Sequence, residues 1–308
     1  MLPPPPDIET RVFARVPEEL QAEERPSRWL DQLGRVLGRT ARMGSFLEGP
    51  SFDRDGNLYL VDLAHGRIFR VSPDAEWSVV ADYDGQPNGL KIHRDGRIIV
   101  TDQQNGLVEI DPVNGKVTPF LPADLIHGYK GVNDLFFAEN GDCYFTDQGQ
   151  MTGLQDWAGR VMRYTPAGRL EVVLDKVPSP NGLVMNLAET TLHVAVTQMN
   201  AVWRVPFLDG KAVKVGVFTY LMAGIGPDGL ALDIEDNLAI AHPGNGQVWL
   251  FDPHAVPIAR LVSCAGKLPT NVAYGGPDNK QLFITESETG TVLVADLPVP
   301  GKPMYSHM

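Results

Sequence analysis

The sequence predicts an all-β fold, a six-bladed β-propeller of four-stranded antiparallel blades. Three observations predict it. A turn element bearing an oxygen-carrying side chain recurs six times, as Glu48-Gly49-Pro50, Pro87-Asn88-Gly89, Val132-Asn133-Asp134, Pro180-Asn181-Gly182, Pro227-Asp228-Gly229 and Thr270-Asn271-Val272. Positions 48, 88, 133, 181, 228 and 271 are separated by 40, 45, 48, 47 and 43 residues, the period of a propeller or solenoid repeat. Inside each repeat, short apolar runs alternate with turns such as Asp55-Gly56, Asp95-Gly96 and Asn105-Gly106, which mark hairpins.

The elements follow in order. Residues 10–16 read as a strand, and residues 17–46 connect it to the first blade. Within that connection, 26–34 reads as one short helix or an irregular cover. In blade one the strands are expected at 51–52, 58–61 and 67–71, and blade two repeats them at 89–92, 97–101 and 107–110. Less regular fourth strands are expected at 77–81, 170–174 and 259–263. The last repeat supplies only three strands, 272–274, 281–285 and 291–295. After Asp296 the chain reads Leu-Pro-Val-Pro-Gly-Lys-Pro, which cannot form a ladder because proline lacks the donor. The fourth strand of blade six is therefore assigned to 10–16, with one of its alternating sets, Val12, Ala14 and Val16 or the opposite one, buried. That closure removes two open sheet edges. One domain is expected over 1–308, with 1–46 as closing strand and cover and 47–297 as the blades.

Composition narrows the partners. The chain has 308 residues, a net charge of −12 and only two cysteines, Cys143 and Cys264. Such a charge argues against nucleic acid or an anionic membrane as the main partner, since both need clustered Lys and Arg. Both cysteines lie in apolar segments and are expected to be free and hydrophobic in role. The beginning, Met-Leu-Pro-Pro-Pro-Pro-Asp, has no signal-peptide pattern, and no apolar run reaches membrane-spanning length. The expectation is a soluble, cytoplasmic protein.

The recurring element carries the chemistry. In such a blade the turn before the first strand and the turn after the second lie on one face. That face therefore gathers the six oxygen-bearing positions with residues 62–65, 102–105, 147–159, 197–200, 242–245 and 286–289. Glu, Asp and Asn oxygens with no Cys or His are the ligands of a hard cation. Ca²⁺ is favoured, then Mg²⁺ or Mn²⁺, with Zn²⁺ a poorer occupant. The long turn 148–158 carries Met151, Leu154 and Trp157, apolar residues with little reason to sit on a plain surface turn. His242 follows a second strand on the same face and is a candidate base or substrate donor. Asp62, Asp102 and Asp147 each end a second strand, where repeated hydrogen bonds fixing the turns are expected. Ser287 has no Gly-x-Ser-x-Gly elbow around it, which disfavours a serine hydrolase.

Glu48-Gly49-Pro50, Asn133-Asp134, Asn181-Gly182-Leu183 and Pro227-Asp228-Gly229 resemble the metal-binding motifs of the gluconolactonase/regucalcin-like (senescence marker protein) family of six-bladed propellers. The resemblance spans roughly residues 40–297. It implies that Glu48, Asn133, Asn181 and Asp228 hold one divalent ion, usually calcium, at the mouth of the central channel. It also implies a metal-dependent hydrolase acting on a lactone or related cyclic ester, with Asp228 as the residue that activates water or shuttles the proton. Asn88, Asn271, Met151, Trp157 and His242 are then the expected substrate contacts. One departure stands out. Sugar-lactone-hydrolysing members carry an Arg two residues before the blade-three Asn, and here that place is Gly131. Two alternatives remain open at this stage: an organophosphate hydrolase of the diisopropyl-fluorophosphatase type, and a non-enzymatic propeller with a structural ion.

Overall fold

The computed structural model describes residues 4–38, 40–149 and 157–308. Six antiparallel sheets are arranged in sequence order around one axis. Blade one comprises Leu47–Phe52, Leu58–Asp62, Arg67–Val71 and Trp77–Asp82. Blade two comprises Pro87–Ile92, Ile98–Asp102, Gly106–Ile110 and Val117–Pro122. Blade three uses Val132–Phe137, Cys143–Asp147, Gly159–Tyr164 and Leu170–Val177. Blade four uses Pro180–Met185, Thr191–Val196, Ala201–Leu208 and Gly216–Tyr220, with a two-residue hairpin strand at Lys211–Ala212. Blade five starts late, at Leu230–Leu232, and continues through Leu238–His242, Gln247–Phe251 and Pro257–Val262. Blade six has Pro269–Gly275, Gln281–Glu286 and Thr291–Asp296. Each inner strand packs beside the next, and that of blade six returns to blade one.

Blades stacked face to face bury both faces of their strands, so the inner runs are apolar nearly throughout rather than alternating. Leu58–Asp62 and Ile98–Asp102 are buried at every residue. The core is consequently a set of layers between neighbouring blades. Phe136, Tyr144 and Val161 of blade three, for example, share a cluster with Leu183, Leu192, Val194 and Val202 of blade four. Each such side chain contributes about 1.5–3 kcal/mol when fully removed from water.

The ring closes as the sequence predicts. Arg11–Arg15 pairs antiparallel with Thr291–Asp296 as the fourth strand of blade six. Neither regular alternation is buried, however. A bulge between Val12 and Ala14 shifts the register, so Val12 faces solvent while Ala14 and Val16 are buried. Phe13 packs edge-on against Phe283, 5.0 Å between centroids. A second strand escaped the sequence reading. Asp7–Glu9 runs parallel to Pro257–Val262 on blade five, so the N-terminal segment spans the outer edges of two adjacent blades.

The cover contains a helix, Arg28–Leu37, longer than the 26–34 expectation. Ser27 caps it, accepting from the Leu30 amide at 3.1 Å, as serine does at this position. The tail after Asp296 forms no blade strand. It crosses the face opposite this cover and ends in a single 3₁₀ turn, Tyr305–His307, with Tyr305 stacked on Phe137 at 5.3 Å. Both cysteines are free; Cys143 is buried, but Cys264 is exposed, because it lies past the end of its strand rather than in it.

Candidate metal and active site

The inner strands enter from one face, and the first oxygen-bearing residue of each sits where the strand begins. In blade two Pro87 pairs with Asp102 and Leu90 with Val100, leaving Asn88 and Gly89 in a bulge between them. The same break in register lies between Val132 and Leu135 and between Pro180 and Leu183. A bulge leaves residues unpaired and turns their side chains away from the ladder. Here it turns them toward the axis. Asp228 is held outside any strand, its amide donating to Ala241 O at 3.0 Å and the Gly229 amide to Thr270 O at 2.9 Å.

Blade six is out of phase with the sequence expectation. Pro269 pairs with Glu286 and Val272 with Ile284, so Thr270, not Asn271, occupies the place of Asn88, Asn133 and Asn181. Asn271 falls one residue further on, level with Gly49, Gly89, Asp134, Gly182 and Gly229. The proline just before Asn88, Asn181 and Asp228 also stands just before Thr270, and that signal gives the correct phase. Two tiers result. The outer one is Glu48, Asn88, Asn133, Asn181, Asp228 and Thr270; the inner one is four glycines with Asp134 and Asn271.

The inner tier organises the outer one. Asn271 donates through Nδ2 to Glu48 Oε2 at 3.0 Å and to Asp134 Oδ2 at 3.3 Å. Room for this requires glycine on both sides. A Cβ at Gly229 would lie 2.0 Å from Asn271 Oδ1, and one at Gly89 would lie 2.5 Å from Asp134 Oδ1. Lys91 Nζ lies 3.9 Å from Asp134 Oδ1. Neither Asp134 nor Lys91 was singled out as functional from the sequence, because the motif is satisfied by Asn133 alone.

Three outer oxygens have no donor. Asn133 Oδ1, Asn181 Oδ1 and Asp228 Oδ1 are buried and unpartnered among the described residues, a costly state for polar atoms. In Asn133 the orientation is enforced. Its Nδ2 donates to Gln148 Oε1 at 2.8 Å, and Gln148 in turn donates to Ser179 Oγ at 2.9 Å, which leaves Oδ1 aimed elsewhere. Burial pushes the Glu48 carboxyl up to about 8, offset in part by the Asn271 hydrogen bond and reinforced by nearby Asp134. Burial, with the charges of Glu48 and Asp134, also drives Asp228 well above the usual carboxylate range. Without a cation these acids resist ionising together.

The surroundings hold this face rigid. Asp62, Asp102, Asp147 and Glu286 accept from the amides of Phe46, Gln86, Lys130 and Leu268, each in the loop entering its own blade. The turn-fixing role expected for the first three is their observed one. Thr146 ties blade three to blade four by donating to Asn181 O at 2.9 Å, and Thr101 donates to Asn133 O.

The remaining sequence candidates separate. Asn88 is buried at the outer tier. Trp157 is 56 % exposed just before the third strand of blade three. Met151 and Leu154 lie outside the described residues. His242 is taken up by structural hydrogen bonds. It is only 1 % exposed, its Nε2 donates to Ala223 O at 3.0 Å and its Nδ1 accepts from Trp249 Nε1 at 3.3 Å. The first contact anchors the loop that leads into Asp228, and the second ties the ring to the neighbouring strand Gln247–Phe251. Among the described residues no group of three or more His, Cys, Asp or Glu side chains is gathered as a metal cluster, so an ion here would draw on the amide oxygens.

A protein-family profile described as SMP-30/Gluconolactonase/LRE-like region matches residues 46–288. The chain belongs to this family. Among curated relatives of this SMP-30/gluconolactonase-like protein is the lactonase drp35 of Staphylococcus saprophyticus, 30 % identical over 235 residues, which cover 72 % of this chain and 71 % of the relative. The drp35 lactonase of Staphylococcus aureus USA300 is 29 % identical over the same shares. Among solved structures, a calcium-binding regucalcin from Agrobacterium tumefaciens superposes with a TM-score of 0.79 at 20 % identity, covering 98 % of this chain and 99 % of that one. A gluconolactonase from Xanthomonas campestris gives 0.72 at 22 % identity, covering 82 % and 86 %. At these identities the structural likenesses speak for the fold alone.

Proposed function

We propose that this SMP-30/gluconolactonase-like protein is a divalent-metal-dependent hydrolase that opens a lactone or related cyclic ester. The observation that supports the metal is the trio of buried, donorless oxygens on Asn133, Asn181 and Asp228, each just ahead of or within the start of its blade's inner strand, in three successive blades. Formal charge agrees with it. Glu48, Asp134 and Asp228 lie within one another's field, with Lys91 beside Asp134 and Glu48, and the formal excess is that of a divalent cation. Glu48, Asn133, Asn181 and Asp228 would hold it, and an all-oxygen set favours Ca²⁺ over Zn²⁺.

Bound there, such an ion supplies Lewis-acid stabilisation of charge developing on an ester carbonyl oxygen. The protein's own groups would do the rest. Asp228 is the least buried of the four, so it would take a proton from attacking water and return it to the leaving alkoxide. Asn133 is locked by Gln148 and needs no reorganisation during the reaction. Trp157 would give a ring-shaped substrate an apolar surface beside the charge. Gly131, where a guanidinium would otherwise meet sugar hydroxyls, favours weakly polar lactones over polyhydroxylated ones.

The test is pH-stat hydrolysis of sugar, aliphatic and aromatic lactones with Ca²⁺, with Zn²⁺ and with chelator. Hydrolysis that requires a divalent ion and prefers aliphatic or aromatic rings is expected. Equal rates in chelator, or no turnover of any lactone, would refute the reading.

A further inference from the structure

The outer strand of each blade has a free edge, whose unpaired amides and carbonyls can template another strand. Five of the six edges are protected. Asp7–Glu9 lies along the outer strand of blade five. The outer strand of blade two carries Pro119 and Pro122, and that of blade three carries Glu171, Asp175 and Lys176. In blade six it carries Arg11 and Arg15. In blade one it ends at Asp82, which Arg25 of the N-terminal connection clamps at 2.7 Å. Blade four differs. Its outer strand, Gly216–Tyr220, reads Gly-Val-Phe-Thr-Tyr, with neither charge nor proline. No backbone group of residues 214–219 has a partner outside blade four among the described residues. A bulge interrupts its pairing, but every outer pairing has one, so the bulge does not set blade four apart.

The side chains along this edge are as bare as its backbone. Val213, Val215, Val217, Tyr220, Met222 and Ile225 are each between 38 and 83 % exposed. Between them they leave roughly 600 Å² in water, where the largest apolar patch of an ordinary monomer is about 300–600 Å². Charge also singles out the strip. The chain carries −12 overall, yet residues 210–227 hold Lys211 and Lys214 and no acid. A second copy, repelled over most of the acidic surface, meets no carboxylate here.

We propose that this edge is the interface of a homodimer, with Gly216–Tyr220 of two copies paired antiparallel about a two-fold axis. A strand that pairs with itself in this way needs no second sequence, and the symmetric contact closes at two chains. Antiparallel pairing sets Lys214 of one copy near Tyr220 and Met222 of the other, so the lysines do not face each other. Two copies remove roughly 1,200 Å² from water, at the lower bound of stable interfaces, and an affinity on the order of micromolar follows. The interface depends on neither the metal nor the substrate of the ring.

Sedimentation velocity between about 1 and 100 μM, a range that brackets such an affinity, is the test. The native chain is expected to move from 33.7 kDa to twice that mass, and hydrogen exchange at residues 216–220 should slow over the same range. The double variant Val217→Glu with Tyr220→Glu alters two exposed side chains. It should weaken association by about a hundredfold or more, through like charges repeated across the axis. Val172→Glu, on the exposed edge of blade three, is the control and should leave the dimer intact. A native chain of single mass throughout, open-ended assemblies, or a dimer untouched by the double variant overturns the interface. Should the double variant unfold, exchange on the native chain decides: a dimer without added protection at 216–220 overturns it equally.

Discussion

Asn271 shows how much one side chain contributes when it stands between two acids. Its single amide nitrogen serves Glu48 and Asp134, which belong to different blades. Replacing it with leucine removes both donors from buried carboxylates and leaves no water in exchange. Asn271→Leu is therefore expected to lower stability by about 2–4 kcal/mol in chelator, from two hydrogen bonds lost in a buried place. Urea denaturation measures it, and a loss below about 1 kcal/mol would mean that water replaces the amide. His242 makes the opposite point. A histidine on the predicted site face invites a catalytic role, yet its ring is consumed by Ala223 and Trp249. His242→Phe should cost about 1–3 kcal/mol of stability through those two contacts while kcat falls less than stability implies. A collapse of kcat in a variant of unchanged melting temperature would return His242 to the chemistry.

At the scale of elements, the N-terminal segment acts as a clasp. Its ion pairs, Arg11 with Asp296 and Arg260 with Asp7, are largely exposed, so they add little. Its hold comes from the buried Ala14 and Val16, the Phe13 ring on Phe283, and two strand edges that would otherwise be bare. Deleting residues 1–17 should lower the melting temperature and produce self-association through blades five and six. Light scattering and calorimetry check this, and an equally stable monomer would contradict it. The closing strand was legible because blade six ran out of sequence at Asp296 and 10–16 was the one remaining β-rich run. The parallel strand at Asp7–Glu9 was not, since three residues with two acids carry no period. The phase of blade six was misread because Thr270 and Asn271 both bear oxygen. Only the preceding proline tells them apart.

The whole molecule is a rigid ring with a charge problem on its axis, and pH exposes it. Glu48 is raised from 4.5 to about 8 when no cation is bound. The folded state then keeps a proton that the unfolded state has already lost. Stability in chelator is thus greatest below pH 4.5 as far as this group is concerned, and falls as pH rises toward 8. His193 works in the other direction. Burial among apolar groups, with Arg204 nearby, lowers its ring from 6.5 to about 4. Its contribution is complete above pH 6.5 and is lost as pH falls toward 4, by about 3 kcal/mol in total. His193→Gln should flatten only the acid limb. Added calcium should stabilise progressively more between pH 4.5 and 8, because it relieves only the carboxylates. A calcium effect that shrinks over that interval would contradict the account. The ring positions and the blade grammar were readable at this scale because repetition amplifies a weak local signal. Asp134 and Lys91 occur once each, and nothing short of the folded axis brings them together.

Calcium binding by calorimetry is the most direct test of the central claim, that four blades place one divalent-ion site on the axis. The native chain should bind one ion, and Glu48→Gln and Asp228→Asn should each weaken it by about a hundredfold or more, roughly 3 kcal/mol, with circular dichroism unchanged. No binding to the native chain, or the same affinity in both variants, would contradict it.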